Sequence, residues 1–180
     1  HDRSRLGIVA PTFADARDIC VEGESGLLRV LPEGCVKTWH RSHGALELTN
    51  GSRVKIYSAD RPARLRGPQH HRVWCDELAA WGRPETFDQI LFGLRLGDDP
   101  RLVITTTPRP TPLLRDLVAR AVDDVRLTRG TTRDNAVHLP TAMLAELEAR
   151  YAGTRLGRQE LLAEMLANEA GALWHADALV

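Results

Sequence analysis

Apolar and polar positions along this chain switch between two rhythms, and the elements they predict follow one another as strand and helix. "RLGIVAPT" (5–12) is an apolar run of strand length, and "FADARDICVEG" (13–23) is a helical stretch stopped at Gly23. "ALELTNGSRVKIYSA" (45–59) alternates on either side of Asn50-Gly51, the dipeptide that most favours a two-residue hairpin turn. "RVWC" (72–75) is a short apolar strand. In "PETFDQILFGLRLG" (84–97), Phe87, Ile90, Leu91 and Leu94 share one helical face. "RLVITTT" (101–107) predicts another buried strand. Thr111 then caps a helix opened by Pro112, with Leu113, Leu114, Leu117 and Val118 as its apolar stripe. "DVRLTRG" (124–130) predicts a strand. The last third predicts helices over "TAMLAELEARY" (141–151), with a Glu146–Arg150 pair, and "GRQELLAEMLANE" (157–169).

Strands alternating with helices imply an α/β fold, a mostly parallel sheet flanked by helices on both faces. In such sheets ligands bind beyond the carboxyl ends of the strands. At 180 residues and 43% hydrophobic, the chain is long enough for a sizeable core. Its formal net charge is zero, so no global field points to nucleic acid or membrane. The balance hides an asymmetry, because Lys37 and Lys55 are the only lysines among 24 basic residues. The other 22 are arginines, whose planar forks suit phosphate; a GC-rich genome produces the same bias. Cys20, Cys35 and Cys75 are scattered, as in a reduced protein with buried thiols. His40 and His43 lie near Cys35 but lack a fourth zinc ligand at suitable spacing. No apolar run reaches membrane-spanning length, and no secretory leader opens the chain.

The chemistry concentrates in "HHRVWCDELAAW" (70–81), where two adjacent carboxylates follow an apolar strand. Asp76 and Glu77 repel each other unless a cation or a solvated turn relieves them. Their position at the carboxyl lip of a strand favours the cation. Apolar strand, Asp, Glu is the arrangement of a Walker B site: the Asp holds Mg²⁺, directly or through water, and the Glu orients and deprotonates an attacking water. Thr105, Thr106 and Thr107 end the next strand, just before Pro108. Threonine is an ordinary strand residue, yet three hydroxyls at a second lip could sense a γ-phosphate or bond Glu77.

Three blocks, "LRGPQHHRVWCDELAAW", "LRLGDDPRLVITTTPRPTPLLRDL" and "YAGTRLGRQELLAEMLANEAGALW", resemble the ATPase domain of the large terminase subunit of tailed bacteriophages, prophages and gene transfer agents. The likeness runs from about residue 6 to 174, and the order of the blocks is more specific than any one motif. It implies a three-layer P-loop-NTPase-like fold of the ASCE type, with ATP and Mg²⁺ as cofactors. Asp76 would bind the metal, Glu77 would be the catalytic base, and Thr105–Thr107 would couple hydrolysis to DNA movement. Arg66, in "RLRGPQ", falls where some terminases place an arginine that acts on a neighbouring subunit's nucleotide; Arg61 and Arg64 are alternatives. The partners implied are double-stranded DNA, a small terminase subunit, a portal protein and further copies in a ring, in the cytoplasm of the bacterial host, with no membrane.

The chain departs from that family in lacking a Walker A loop, G-x-x-x-x-G-K-[ST], since neither lysine follows a glycine. It is therefore expected to be an internal segment of a longer subunit, without the Walker A strand beside "VITTT", and inactive alone. Residues 1–138 would form a partial ATPase domain, and 139–180 a helical lid or linker toward an absent nuclease domain. Two competing readings remain at this stage. One is a superfamily 2 helicase, which also pairs a D-E motif with a Thr/Ser strand end. The other is a non-catalytic nucleic-acid-binding or interaction module.

Overall fold

The computed structural model describes residues 3–166, which gather into two units, one up to Thr106 and one from Thr107. The first unit is built on a mixed six-stranded sheet with strand order β2-β3-β4-β1-β5-β6. The strands are β1 (Arg5–Ala10), β2 (Val36–His40), β3 (Ala45–Leu48), β4 (Arg53–Ser58), β5 (Arg72–Cys75) and β6 (Arg101–Ile104). β4, β1, β5 and β6 run parallel, and β2 and β3 add an antiparallel edge through the expected hairpin. Its turn is made by Asn50, whose side-chain oxygen accepts from the Ser52 N–H (2.9 Å), and Gly51 at φ 84°. The pattern did not predict β2: "VKTWH" alternates too weakly, and pairing with β3 makes it a strand.

Period-two alternation divides the strands between two faces. Ile8, Ala10, Leu46, Val54 and Ile56 form one core with Ala16, Cys20 and Val21. Those three come from the stretch after β1, where α1 (Phe13–Asp15) is opened by a capping box from Thr12 and continues as a π-helical turn, Ala16–Val21. The second face buries Val9, Tyr57, Val73 and Cys75. The helix over residues 85–93, which buries Phe87 and Ile90, is tied to the chain just after β4 and just before β5. The Thr86 hydroxyl donates to the Ala59 carbonyl (2.6 Å), and the His70 N–H donates to the carbonyl of Gly93, the last residue of α3 (Glu85–Gly93). A short helix α2 (Leu27–Val30) completes this unit.

The second unit carries α4 (Pro112–Ala119), α5 (Thr141–Tyr151) and α6 (Arg155–Glu160). α4 begins as expected, with the Thr111 hydroxyl accepting from the Leu114 N–H and Pro112 in the first turn. α5 has the expected bounds, and Glu146 and Arg150 pair at 3.5 Å. Two expectations fail here. No strand forms at 124–130, because an alternating stretch without a sheet neighbour has nothing to pair with; Leu127 stays exposed. The last predicted helix starts earlier and stops at Glu160, followed by Ala163 at φ 51°, a conformation that cannot continue a helix. The rest of that expectation, from Ala167, lies outside the described residues.

Candidate active site at the carboxyl ends of β5 and β6

Asp76 follows the last residue of β5, and its N–H still bonds the Val9 carbonyl of β1 (2.8 Å), so its backbone is held as firmly as a strand residue. By alternation its side chain falls on the same face as Trp74, toward the core that contains Cys20. Three neighbours organise the carboxylate. The Thr105 hydroxyl donates to one oxygen at 2.6 Å, and the Trp74 indole N–H donates to that hydroxyl at 2.7 Å. The Cys20 thiol lies 3.5 Å from the other oxygen. Burial, then the Asp76 charge, then this hydrogen bond push the Cys20 thiol up to about 12, so it stays protonated and a donor. Asp76 is thus oriented by neutral donors alone.

Glu77 breaks the strand in an unusual way. Its backbone is left-handed (φ 49°, ψ 47°), a region that non-glycine residues enter at a cost of about 1–2 kcal/mol. The left-handed residue ends the strand line and starts the 3₁₀ turn Leu78–Ala80. Three bonds hold that turn. The Ala79 N–H donates to the Thr106 hydroxyl (3.0 Å), the Leu78 N–H to the Thr105 carbonyl (3.3 Å), and the Trp81 indole to the Asp76 carbonyl (2.9 Å). The first two threonines of the triplet therefore serve different partners, Thr105 the Asp76 carboxylate and Thr106 the backbone after Glu77. Thr107 begins the second unit.

Arg66 is not brought to this place. It is exposed after the 3₁₀ turn Pro62–Leu65, ahead of the segment that enters β5, and lines a depression with Gln69, Gln89, Phe92 and Arg95. Arg61 and Arg64 are exposed on the same turn. Sequence reasoning missed Cys20, Trp74 and Trp81. Trp74 had a signal, since it precedes Asp76 by two and must share its face; Cys20 had none, because only the π-helical turn sets its phase.

The donor set suits magnesium, which takes one or two carboxylates and fills its octahedron with waters and phosphate oxygens. Asp76 offers one carboxylate with acceptor capacity left after two hydrogen bonds, and Thr105 offers a hydroxyl beside it. Among the described residues no group of three or more His, Cys, Asp or Glu side chains is gathered that could hold an ion on its own.

A family model described as terminase large subunit, T4likevirus-type, N-terminal, matches residues 2–180. The fold is similar to that of the large terminase from a thermophilic bacteriophage (TM-score 0.77, 14% identity, 98% of this chain and 45% of that one). It is also similar to that terminase in complex with ADP (TM-score 0.76, 14% identity, 93% and 42%). The ATPase domain of the Thermus phage P74-26 large terminase matches with TM-score 0.63 and 19% identity over 91% of this chain and 77% of that one. The chain thus spans less than half the length of the first of these relatives. No match was found among curated protein sequences.

Proposed function

This chain belongs to the large terminase subunit family, and from that membership we propose that it forms part of an ATP-hydrolysing motor that moves double-stranded DNA into a viral procapsid. The observation that carries the reading is the Asp76 carboxylate, fixed at the carboxyl end of β5 with the Thr105 hydroxyl 2.6 Å away on the neighbouring strand end. In this reading Asp76 holds the Mg²⁺ of bound ATP, directly or through water. The ion, when bound, offsets negative charge on the phosphates. Glu77, turned away from the strand line by its left-handed backbone, orients the attacking water and takes its proton. Thr105–Thr107 couple the nucleotide state to DNA movement: Thr105 through Asp76, Thr106 through the turn that carries Glu77.

Arg66 serves the nucleotide of an adjacent copy in a ring, which its exposure and its distance in the fold from Asp76 favour; Arg61 and Arg64 are alternatives. Residues 1–138 act as the ATPase part and 139–180 as a lid or linker. The subunit works with a small terminase subunit and a portal protein in the host cytoplasm. Among the described residues no helix is long and apolar enough to cross a membrane.

The test is made in the large subunit that contains this chain. Glu77→Gln should keep ATP binding and lower hydrolysis by roughly 10²–10⁴-fold, the usual cost of losing a general base. Near-parental hydrolysis would remove Glu77 from that role. Arg66→Ala should bind ATP and lose ring activity, and mixing it with the Glu77→Gln subunit should restore some hydrolysis at interfaces where both residues are intact. No recovery for Arg66, Arg64 or Arg61 would refute a role across subunits.

A further inference from the structure

The second sheet face is apolar only toward the carboxyl ends of its strands. Toward the other end it turns cationic. β1 and β4 pair with Arg5 directly opposite Arg53, and Gly7 opposite Lys55. Like charges opposed across a ladder are destabilising, and this rung places two arginines face to face, with Lys55 two residues along on the same side. Arg3 precedes this row, and Lys37 joins it from the bulged start of β2. These five cations line one open depression of about 800 Å³ that holds a single carboxylate, Glu47. Glu47 sits on the next strand opposite Arg53 and pairs with it. Lys55 donates to the His43 carbonyl, and burial together with the Arg53 charge holds its ammonium below the usual range. Among the described residues, Arg3, Arg5 and Lys37 make no ion pair. Both lysines of an otherwise arginine-only chain stand here. Arg3, Arg5, Lys37 and Arg53 are exposed, although sheets with parallel strands ordinarily bury both faces.

A fold gains nothing by lining up cations on an uncovered face unless an anion with several charges offsets their repulsion. We infer that this face is a track for the phosphodiester backbone of double-stranded DNA. The row crosses four adjacent strands, about 14 Å at the usual strand spacing, a length over which a duplex strand presents more than one phosphate. The choice of duplex DNA as the polyanion rests on the packaging function proposed above; the multi-anion site itself rests on the charges alone. Arg5, Arg53 and Lys37 act as phosphate contacts without base readout, as a motor moving along arbitrary sequence requires.

The experiment measures anisotropy of a labelled 30-base-pair duplex with this chain as a function of salt. The chain should bind, with log affinity falling linearly in log salt. Arg5→Gln, Arg53→Gln and Lys37→Gln should each flatten that slope by about 0.9, and Arg5→Lys should retain it. Glu47→Gln, which removes the only carboxylate of the depression, should tighten binding several-fold. Arg155→Gln, an exposed arginine of α6, should leave the slope unchanged. Binding whose slope ignores Arg5→Gln, Arg53→Gln and Lys37→Gln would overturn the track while leaving the packaging reading untouched. The same holds if inorganic pyrophosphate binds in a manner sensitive to these residues and duplex DNA does not, or if no duplex binds at about 50 mM salt. The ATP hydrolysis test on Glu77 reads the packaging function separately, so the two can fail independently.

Discussion

Replacing Glu77 by glycine should leave this chain more stable than replacing it by alanine, the reverse of the usual order. At an ordinary helical or extended position, glycine is less stable than alanine by roughly 0.5–1 kcal/mol, because it gives up more backbone freedom on folding. Glu77 sits instead at φ 49°, ψ 47°, where a Cβ crowds the following carbonyl at a cost of about 1–2 kcal/mol that glycine does not bear. Subtracting the first effect from the second leaves glycine ahead by roughly 1 kcal/mol. Both variants lose the same side chain, so whatever the carboxylate contributes cancels between them. For a chain of this length the difference corresponds to about 2–4 °C in Tm.

Thermal and urea unfolding followed by tryptophan fluorescence is the appropriate assay, because Trp39, Trp74 and Trp81 all lie in the unit that carries Glu77. Asparagine, whose side chain tolerates the left-handed region, should fall between the two. Alanine equal to or more stable than glycine would show that the backbone at 77 is not held left-handed in solution. The account of how the chain leaves β5 at Glu77 would then fail. If the order is as expected, strain is stored at the residue proposed as the base, as functional sites often store it.

Two further outcomes follow from the same site. In the native chain at pH 8, a thiol reagent should titrate Cys35 first, with Cys20 and Cys75 reacting only on unfolding, since burial pushes both up to about 12. Because these folded-state values are raised, the thiols favour folding below about pH 9 and that stability is lost as pH climbs toward 12, so Tm should fall across this window; a flat Tm would contradict it. Thr105→Val should destabilise by about 1–3 kcal/mol, because it strips a donor from Asp76 and an acceptor from Trp74. In a double-mutant cycle with Trp74→Phe it should show coupling of at least about 0.5 kcal/mol, and strict additivity would break the chain of bonds apart.

Much of the sheet was legible because its signals are local. Asn50-Gly51 fixes a hairpin, Thr111-Pro112 fixes a helix start, and the apolar run before Asp76 fixes a strand whose carboxyl end carries Asp76. What was not legible depends on pairing and contacts rather than on the local pattern. β2 is a strand because β3 pairs with it, and 124–130 is not a strand because nothing does. Cys20 reaches Asp76 across 56 residues, on a π-helical turn whose extra residue no 3.6-residue period could anticipate.

The like-charge pairs of this chain show the same limit. Asp76 next to Glu77 is visible to any reader of the sequence, and the structure adds a left-handed backbone at Glu77 and a hydroxyl donated to Asp76 from the neighbouring strand. Arg5 opposite Arg53 is invisible there, because 48 residues separate them and only the parallel register of β1 and β4 opposes them. Each pair costs the fold electrostatic energy that a species of opposite sign would offset. In the function proposed above that species would be a cation for the carboxylates, and in the inferred track the phosphates of a polymer for the arginines. The two sites lie toward opposite ends of the same parallel strands, one at the carboxyl end of β5 and one at the start of β1 and β4. A rigid sheet is thus the element through which a change at Asp76 and Thr105 would be felt at the DNA track. Arg5→Gln should then lower DNA-stimulated hydrolysis in the large subunit, and Arg5→Lys should retain it; equal stimulation of both would refute the coupling.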